Sequence, residues 1–351
     1  MTPSSTTFIL DDFSVPSPAQ QLLDRFLIGY NKDGEVHGPT GPVHAHFLKP
    51  VSNTAIDARV KNFGLRLQPS LKESLANAAA VIIALRREAT PNPDLYAEVI
   101  TALPPASHCF IYGGAAYDVK TAEHLFNLAA DHHVVLDAGT EAAHLFPLPE
   151  LKLPIRGQYR RGLIVVQGTF PHAEAEALEA LFTAFDPSVS AQIAESVRAL
   201  GGENLWRSAY SAPWRPLLAA AISRSNTIHG DPDKDGRPQD IVGLHLLEKL
   251  TPNPRGWLIE HPNNLSICVL VLDGAFSDIN FAVELTNGPV ASAQLLRSQS
   301  PMQEHFSNMA VSLVDFFRGA KPASSRRPIA IAAALEKMNL SSRAASAAVR
   351  G

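Results

Sequence analysis

Cysteine is almost absent from this chain: the 351 residues include only Cys109 and Cys268. Two cysteines cannot form the disulfide framework that stabilises small secreted domains, and both lie inside apolar segments typical of strands. We therefore expect two reduced thiols in the core. Residues 1–7 also lack the charged segment and apolar segment of a secretory signal. Both observations favour the cytoplasm.

An excess of charge and long apolar runs are also missing. The net charge is −4, charged residues make up 18% of the chain, and no basic cluster is present. Nucleic acids and anionic membranes select basic surfaces, so we expect neither as a partner. The apolar runs have the length of strands and are too short to cross a bilayer. The pattern is typical of a two-domain globular protein whose partner is a small-molecule substrate.

The first part of the chain, residues 7–140, alternates between strand and helix patterns. The clearest strand covers residues 80–85, an unbroken apolar run typical of a strand buried on both faces. The clearest helix covers residues 117–133, where apolar residues recur on one face. Because helical crossovers connect parallel strands, this rhythm predicts an α/β domain with a doubly wound, Rossmann-like parallel sheet.

The second part of the chain is expected to be an α+β domain with a mostly antiparallel open sheet. Asp-Gly and Asn-Gly pairs, which favour tight hairpins, separate several of its strands. The predicted strands form a meander over residues 257–261, 265–272, 276–285 and 289–296, with residues 163–167 as a fifth member. Predicted helices cover residues 173–184, 190–200, 214–223 and 240–249. We expect the amphipathic helix over residues 302–318 to cover the apolar face of this sheet.

The proline-rich stretch at residues 141–160 is typical of a crossing between domains. We therefore predict a Rossmann-like domain over residues 1–145, a sheet domain over residues 146–325, and a helix with a tail over residues 326–351.

This order of elements resembles the glucose–fructose oxidoreductase/inositol dehydrogenase (Gfo/Idh/MocA) family over nearly the full chain. Three strings carry the resemblance: RFLIGY at 25–30, AAAISRSN at 219–226 and WLIEHPNNLSICVLVLDGAFSDINFA at 257–282. The family implies NAD(P)-dependent oxidation of sugars, polyols and related compounds. It also implies a homo-oligomer assembled through the outer face of the C-terminal sheet.

Three features that the family uses for its nicotinamide cofactor are missing. The first glycine of the chain is Gly29, so the turn after the first strand is DDFSVPSPAQQ (11–21). Its carboxylates repel a diphosphate, and its larger side chains block the approach to the backbone. Residues 48–53 lack the acidic residue that holds the ribose, and residues 112–114 lack the family's lysine. We therefore expect no cofactor. If NAD(P) is bound, the expected binding residues are Ser14, Ser17 and Lys49.

His172, Glu176 and His305 are the candidate catalytic residues. His172 and Glu176 are four residues apart and share a helix face if the helix starts early enough. An imidazole and a carboxylate that face one substrate can move a proton between carbons or expel a leaving group. The alternative is that both are solvated residues at a helix start, where a glutamate also favours the helix dipole. For His305 the alternative is an exposed residue in the first turn of the 302–318 helix.

Arg86, Asp278 and Asn280 are the candidate substrate-binding residues. Arg86 follows a strand at the carboxyl edge of the parallel sheet, where such sheets bind ligands, and could hold an anionic group bidentately. Asp278 and Asn280 share the polar face of a strand, which could instead be a subunit interface. No metal site is expected. The acidic loop at residues 231–236 resembles a calcium loop, but Val242 stands where that loop needs a glutamate.

These observations favour an enzyme that processes a sugar, a polyol or a related secondary metabolite by proton transfer, as an isomerase or a lyase without NAD(P). The first alternative is an NAD(P)-dependent oxidoreductase with a non-standard cofactor site. The second alternative is a non-catalytic partner subunit.

Overall fold

The computed structural model divides the chain into two compact units. Unit 1 consists of Met1–His144 with Ser298–Pro328, and unit 2 of Leu145–Arg297 with Ile329–Gly351. The structure describes residues 5–350 except 15–16, 52, 87–89, 152–158, 185–191, 229–235, 237–239, 287, 299–302 and 321–325.

The secondary structure alternates in unit 1 and is mixed in unit 2. The strands are β1 Thr6–Leu10, β2 Tyr30–Lys32, β3 Glu35–His37, β4 Val43–Phe47, β5 Arg66–Leu67, β6 Ala80–Ala84, β7 His108–Tyr112, β8 Val135–Gly139, β9 Phe146–Leu148, β10 Tyr159–Val166, β11 Ser196–Leu200, β12 Arg255–His261, β13 Leu265–Val271, β14 Ile279–Leu285 and β15 Val290–Leu296. The described helices are α1 Pro18–Leu27, α2 Thr54–Phe63, α3 Leu71–Leu75, α4 Pro93–Ala102, α5 Val119–Asp131, α6 His172–Ala184, α7 Glu203–Ala209, α8 Arg215–Ile222, α9 Leu247–Leu250, α10 His305–Phe317 and α11 Arg327–Arg350.

A six-stranded parallel sheet forms the centre of unit 1. Its strand order is β5-β4-β1-β6-β7-β8, so the chain starts in the middle and winds outward to both sides. Helical crossovers connect the strands, and the strongly apolar β6 is fully buried. This is the doubly wound order, and it confirms the predicted fold class of the N-terminal part.

Helix α10 packs on unit 1, contrary to the expectation that it covers the antiparallel sheet. Its apolar side chains share one core with α1 and the parallel sheet. Phe26 of α1 meets the ring of Phe8 at 5.7 Å and that of Phe317 at 6.1 Å, both edge to face. An amphipathic pattern shows that a helix has an apolar face, but not which sheet receives it.

A seven-stranded, mostly antiparallel sheet forms the centre of unit 2, as the sequence predicts. Its order is β11-β12-β13-β10-β14-β15-β9. The hairpins β12–β13 and β14–β15 are present, and β10 joins the sheet as predicted. However, β10 lies between the two hairpins, parallel to β13 and antiparallel to β14, so the continuous meander is wrong. The apolar run at the end of β10 is buried, which is typical of a central strand.

Helices cover both faces of the unit 2 sheet. Helices α7 and α8 share a core with Leu163 and Val165 of β10. Helix α6 contacts β10 and β13 but contributes no residue to that core, so it lies on the opposite face. There the indole Nε1 of Trp257 donates to the Met338 carbonyl of α11 at 3.3 Å. In the described part of unit 2, helices therefore cover both faces of the sheet at β10.

Two segments that the sequence predicts to be helical differ in the structure. Within residues 190–200 the described element is the edge strand β11, in which exposed Ser196 and Arg198 alternate with less exposed Val197 and Ala199. Within residues 240–249 the chain forms turns, and α9 begins at Leu247. None of the helices in the described part of the chain combines the length and the hydropathy that a bilayer crossing requires.

The packing of α10 on unit 1 leads to a stability prediction. Phe26 is 1% exposed and joins α1 to both the sheet and α10, whereas Phe63 of α2 is 47% exposed. We expect Phe26→Ala to lower the free energy of unfolding by about 3–5 kcal/mol, because it leaves a cavity between α1 and α10. Phe63→Ala should change it by less than about 1 kcal/mol. Urea denaturation followed by circular dichroism measures both, and equal losses would contradict this packing.

Candidate functional site

The carboxyl ends of β1, β4 and β6 lie side by side in unit 1. Parallel pairing places Leu10 of β1 opposite both Phe47 of β4 and Ala84 of β6. In doubly wound folds this edge is where ligands bind. Asp11 follows β1, and the cation-bearing residues Lys49 and Arg86 follow the two neighbouring strands.

Asp11 forms a two-point contact with Arg86. Its Oδ1 accepts the backbone N–H of Arg86 at 2.8 Å, and its Oδ2 accepts the guanidinium Nε–H at 3.3 Å. The side chain of Asp11 is 14% exposed and that of Arg86 61%. The carboxylate is thus held at the strand ends, while much of the guanidinium faces solvent. Lys49 is also exposed.

In the loop between β1 and α1, polar side chains bond to neighbouring groups of the same segment. Ser17 caps α1, and its Oγ accepts the N–H of Gln20 at 3.2 Å. The Oγ of Ser14 donates to the carboxylate of Asp12 at 2.9 Å. Pro18 occupies the first helical position and has no N–H to donate. The helix start therefore offers fewer free donors to an anion than most helix N-termini do.

A dinucleotide diphosphate does not fit this loop in the usual way. The usual cradle needs glycines that let the diphosphate reach backbone N–H groups. Here the fully buried ring of Phe13 packs beneath the guanidinium of Arg59 at 5.4 Å, and the carbonyl of Phe13 accepts the Asn53 side chain at 2.9 Å. In the described part of this edge, Lys49 and Arg86 provide the positively charged side chains that can pair with a diphosphate.

The loop after β7 leaves its backbone accessible. Gly113 and Gly114 have φ angles of 93° and 99°, and no atom beyond the adjoining residues lies within 4 Å of where a Cβ would stand on either. Such angles favour glycine strongly. The preceding Tyr112 is buried, and its hydroxyl donates to the carboxylate of Glu141. Residues 112–114, at which the sequence lacks the lysine that the resemblance implies, therefore combine a buried tyrosine bonded to Glu141 with two glycines.

His305 lies in unit 1 and is 3% exposed. The alternative of an exposed first-turn residue is therefore wrong. Its Nδ1 and its backbone N–H both lie 3.3 Å from the Oγ of Ser298. Burial, together with the charges of Arg327 and His305, lowers the pKa of His144 to about 4. Burial raises the pKa of Asp137 to about 6, although Arg327 and the N–H of Ala138 act in the opposite direction. Unit 1 thus contains a cluster of titratable groups near β8 and α10, in which His305 is buried and Asp137 and His144 are partly buried.

His172 and Glu176 lie one turn apart in unit 2, because α6 begins at His172. His172 is half-buried and Glu176 is 9% exposed. The carboxylate of Glu176 forms an ion pair with the guanidinium of Arg297, which follows β15. The alternative of a solvated Glu176 is therefore wrong. Sequence reasoning missed Arg297, for which a charged residue directly after an apolar strand was the available signal.

Asp278 and Asn280 belong to a closed network on the sheet of unit 2. The carboxylate of Asp278 accepts bonds from the side chains of Asn280 at 2.6 Å and Gln294 at 2.8 Å. It also accepts the Oγ–H of Ser225 at 3.0 Å and the N–H of Asn226 at 3.1 Å. Asn280 is fully buried. These bonds tie residues 225–226 to β14 and β15, and substrate binding by Asp278 and Asn280 stays a prediction.

In the described part of the chain, no group of three or more His, Cys, Asp or Glu residues is arranged to hold a metal ion. Most of the acidic loop at residues 231–236 lies outside that part. Cys109 and Cys268 are buried free thiols, as predicted, and burial raises the pKa of both.

No family model and no curated relative matches this chain. Solved structures share its fold over nearly the full length. GenD2 from gentamicin A biosynthesis, in complex with NAD, aligns with a TM-score of 0.58 at 13% identity and covers 98% of this chain and 95% of its own. The apo scyllo-inositol dehydrogenase from Lactobacillus casei gives 0.56 at 10% identity, with 98% of both chains covered. The UDP-N-acetylglucosamine 3-dehydrogenase GnnA from Acidithiobacillus ferrooxidans gives 0.53 at 12%, covering 96% of this chain and 97% of its own.

The likeness confirms the predicted fold: this chain has the two-domain architecture of Gfo/Idh/MocA-type oxidoreductases. It also overturns two expectations. Two of the structures reported above are dehydrogenases, and the GenD2 structure is in complex with NAD. The expectations of an isomerase or a lyase and of no cofactor are therefore wrong. The missing glycine turn removes one way of holding a diphosphate, but it leaves the ligand-binding edge of the sheet in place.

The raised pKa of Asp137 predicts a pH-dependent contribution to stability. A carboxyl whose folded pKa lies near 6, above its usual 3.8, stabilises the fold while it is protonated. This contribution is complete below about pH 4 and is lost as the pH rises through 6. Relative to the wild type, Asp137→Asn should therefore gain on the order of 2 kcal/mol in unfolding free energy between pH 4 and pH 7.

Urea denaturation at a series of pH values measures this difference. The exposed Asp131 at the end of α5 supplies the control, because Asp131→Asn removes the same charge from the surface. Comparing each variant with the wild type also separates the contribution of Asp137 to stability from that of His144. The contribution of His144 changes over an overlapping pH range but with the opposite sign. A constant difference between Asp137→Asn and the wild type would contradict the prediction.

Proposed function

We propose that this protein is an NAD(P)-dependent oxidoreductase that oxidises a secondary hydroxyl group of a sugar, a polyol or a related metabolite. The observation that carries the proposal is the two-domain fold, which the chain shares over nearly its full length with a scyllo-inositol dehydrogenase and a UDP-N-acetylglucosamine 3-dehydrogenase. The cofactor site is non-standard, because the loop after β1 has no glycine.

Lys49 and Arg86 are the residues that we assign to the cofactor's diphosphate. Both follow strands that flank β1, and both are exposed. A lysine binds phosphate as a point charge, whereas an arginine can donate two parallel hydrogen bonds. Ser14 stays a candidate for a further hydrogen bond. The Oγ of Ser17 already caps α1, so Ser17 is the weaker of the two serine candidates.

The residues of α6 are assigned to the substrate hydroxyl. Oxidation of a secondary alcohol removes the hydroxyl proton and the hydrogen on the same carbon. When bound, the nicotinamide supplies the hydride acceptor. His172 takes the hydroxyl proton, because a neutral imidazole is an effective base near neutral pH. Glu176, which Arg297 holds in place, accepts a hydrogen bond from a substrate hydroxyl and orients it.

A homo-oligomer assembled through the C-terminal sheet stays part of the proposal. Because α7 and α8 cover one face of that sheet, contacts on this side form on the two helices instead of on the strands.

Nucleotide binding tests the cofactor part of the proposal. We expect NADH or NADPH to bind with a micromolar dissociation constant, measured by the fluorescence of the reduced nicotinamide. Lys49→Gln should weaken this binding about tenfold, because it removes one charge-assisted contact with phosphate. Lys61→Gln changes an exposed lysine on α2 and should leave it unchanged. If neither nucleotide binds to the wild type, the proposal fails.

Substitution of His172 tests the proposed base. A panel of sugars and polyols with NAD⁺ and NADP⁺ identifies an oxidised substrate by the absorbance of the reduced cofactor. His172→Ala should then lower kcat by about 10²–10⁴-fold and leave nucleotide affinity intact, since it removes proton transfer alone. His124→Ala, at an exposed position of α5, is the control. Undiminished turnover in His172→Ala would remove His172 from the mechanism.

A further inference from the structure

We infer that Arg86 and the adjoining end of β1 form an anion-binding site that the carboxylate of Asp11 occupies. A diphosphate binds there by replacing this carboxylate. The inference rests on the proposed function, since the diphosphate is that of a dinucleotide. It adds a residue, Asp11, that opposes binding.

The geometry around Asp11 is that of a bound anion. The two oxygens of its carboxylate accept two different donors of one residue, the backbone N–H and the guanidinium Nε–H of Arg86. Arginine holds carboxylates and phosphates alike through N–H donors that face two oxygens of one anion. Here the backbone N–H takes the place of a second guanidinium donor. The anion in this site belongs to the chain itself.

The location of this carboxylate is the second observation. Asp11 follows β1, which lies between β4 and β6 in the middle of the parallel sheet. In doubly wound folds, the diphosphate of a dinucleotide lies at the end of the first strand. Asp11 therefore stands where a phosphate group is expected. The N–H of Leu48 donates to the carbonyl of Leu10 at 2.8 Å and holds the end of β4, which precedes Lys49, against this position.

The pair can open because one partner is largely solvated. The side chain of Arg86 is 61% exposed, and ion pairs with such exposure add little stability. A diphosphate carries more negative charge than one carboxylate and can contact both Arg86 and Lys49. Its binding has to overcome the loss of the Asp11 contact and the repulsion by the freed carboxylate. Removing the charge of Asp11 should therefore strengthen the binding of such an anion.

Asp12 provides a matched control. It carries the same charge one residue further along the chain, but its carboxylate accepts the hydroxyl of Ser14 at 2.9 Å. Its bond to Ser14 does not involve Arg86. A general effect of net charge would raise the affinity for a diphosphate equally in Asp12→Asn and Asp11→Asn. Removal of the anion inside the site would raise it in Asp11→Asn alone.

The test is calorimetric titration of the full chain with inorganic diphosphate and, separately, with NADPH and NADH. We expect Asp11→Asn to bind inorganic diphosphate and a dinucleotide about tenfold more tightly than the wild type, and Asp12→Asn to differ by less than about threefold. Arg86→Gln should bind both about tenfold more weakly. Thermal unfolding by circular dichroism verifies that each variant is folded.

Substituting Asp11 and Arg86 separately makes the test specific. Asp11→Asn and Arg86→Gln both break the contact, so a merely structural contact would move binding in the same direction in both variants. Opposite shifts support the anion site, whereas parallel shifts overturn it. An equal gain in Asp12→Asn, or no gain in Asp11→Asn, also overturns it.

The two probes separate this inference from the proposed function. If Asp11→Asn gains affinity for inorganic diphosphate while neither dinucleotide binds to any variant, the anion site stands and the proposed function fails. If a dinucleotide binds to the wild type and neither Asp11→Asn nor Arg86→Gln changes its affinity, the oxidoreductase proposal stands without its assignment of Arg86, and this site is refuted.

Discussion

The position of β1 between β4 and β6 is the constraint on which the nucleotide proposal depends. Parallel hydrogen bonding on both sides brings three strand ends to one edge of the sheet. Three residues far apart in the chain, Asp11, Lys49 and Arg86, therefore follow neighbouring strand ends. Neither the exposed lysine nor the exposed arginine would suggest a site by itself. The strand order places them on the two sides of Asp11, at the edge of the sheet where doubly wound folds bind dinucleotides.

Holding a diphosphate by side chains instead of backbone N–H groups has physical consequences. A glycine cradle is rigid and selects phosphate by shape, and it adds no net charge. Lysine and arginine side chains contribute full charges, lose rotamer freedom on binding, and act through interactions that salt screens. Binding of this kind is more sensitive to ionic strength, and an internal carboxylate such as Asp11 can oppose it. The two prolines and two aspartates of the β1–α1 loop are compatible with such a site, although they exclude the usual one.

The sequence predicted those features that depend on local pattern. The apolar run of β6, the strong helix α5 and the hairpins β12–β13 and β14–β15 all follow from periodicity and turn residues. The pattern predicted α6 over residues 173–184 and left its start open; in the structure the helix begins at His172, one turn before Glu176. The side-chain contacts within unit 2 did not follow from local pattern. Arg297 is 121 positions from Glu176, and His261 at the end of β12 is 3% exposed beside the ring of Phe182, 79 positions earlier in the chain. Long-range pairing of this kind leaves no periodic signal.

The wrong predictions for the meander and for α10 have one cause, which also explains the wrong functional prediction. A meander was expected because its strands are consecutive, yet β10 enters between them; α10 was expected on the nearer sheet, yet it packs on unit 1. In each case the segment packs against a partner that is remote in sequence, and a local pattern does not determine that partner. The same holds for the missing glycines. Their absence excludes one local means of holding a diphosphate, whereas the binding edge is assembled from three remote segments. Loss of the motif therefore does not imply loss of the proposed site, because Lys49 and Arg86, to which the proposal assigns the diphosphate, follow β4 and β6 and lie outside the motif.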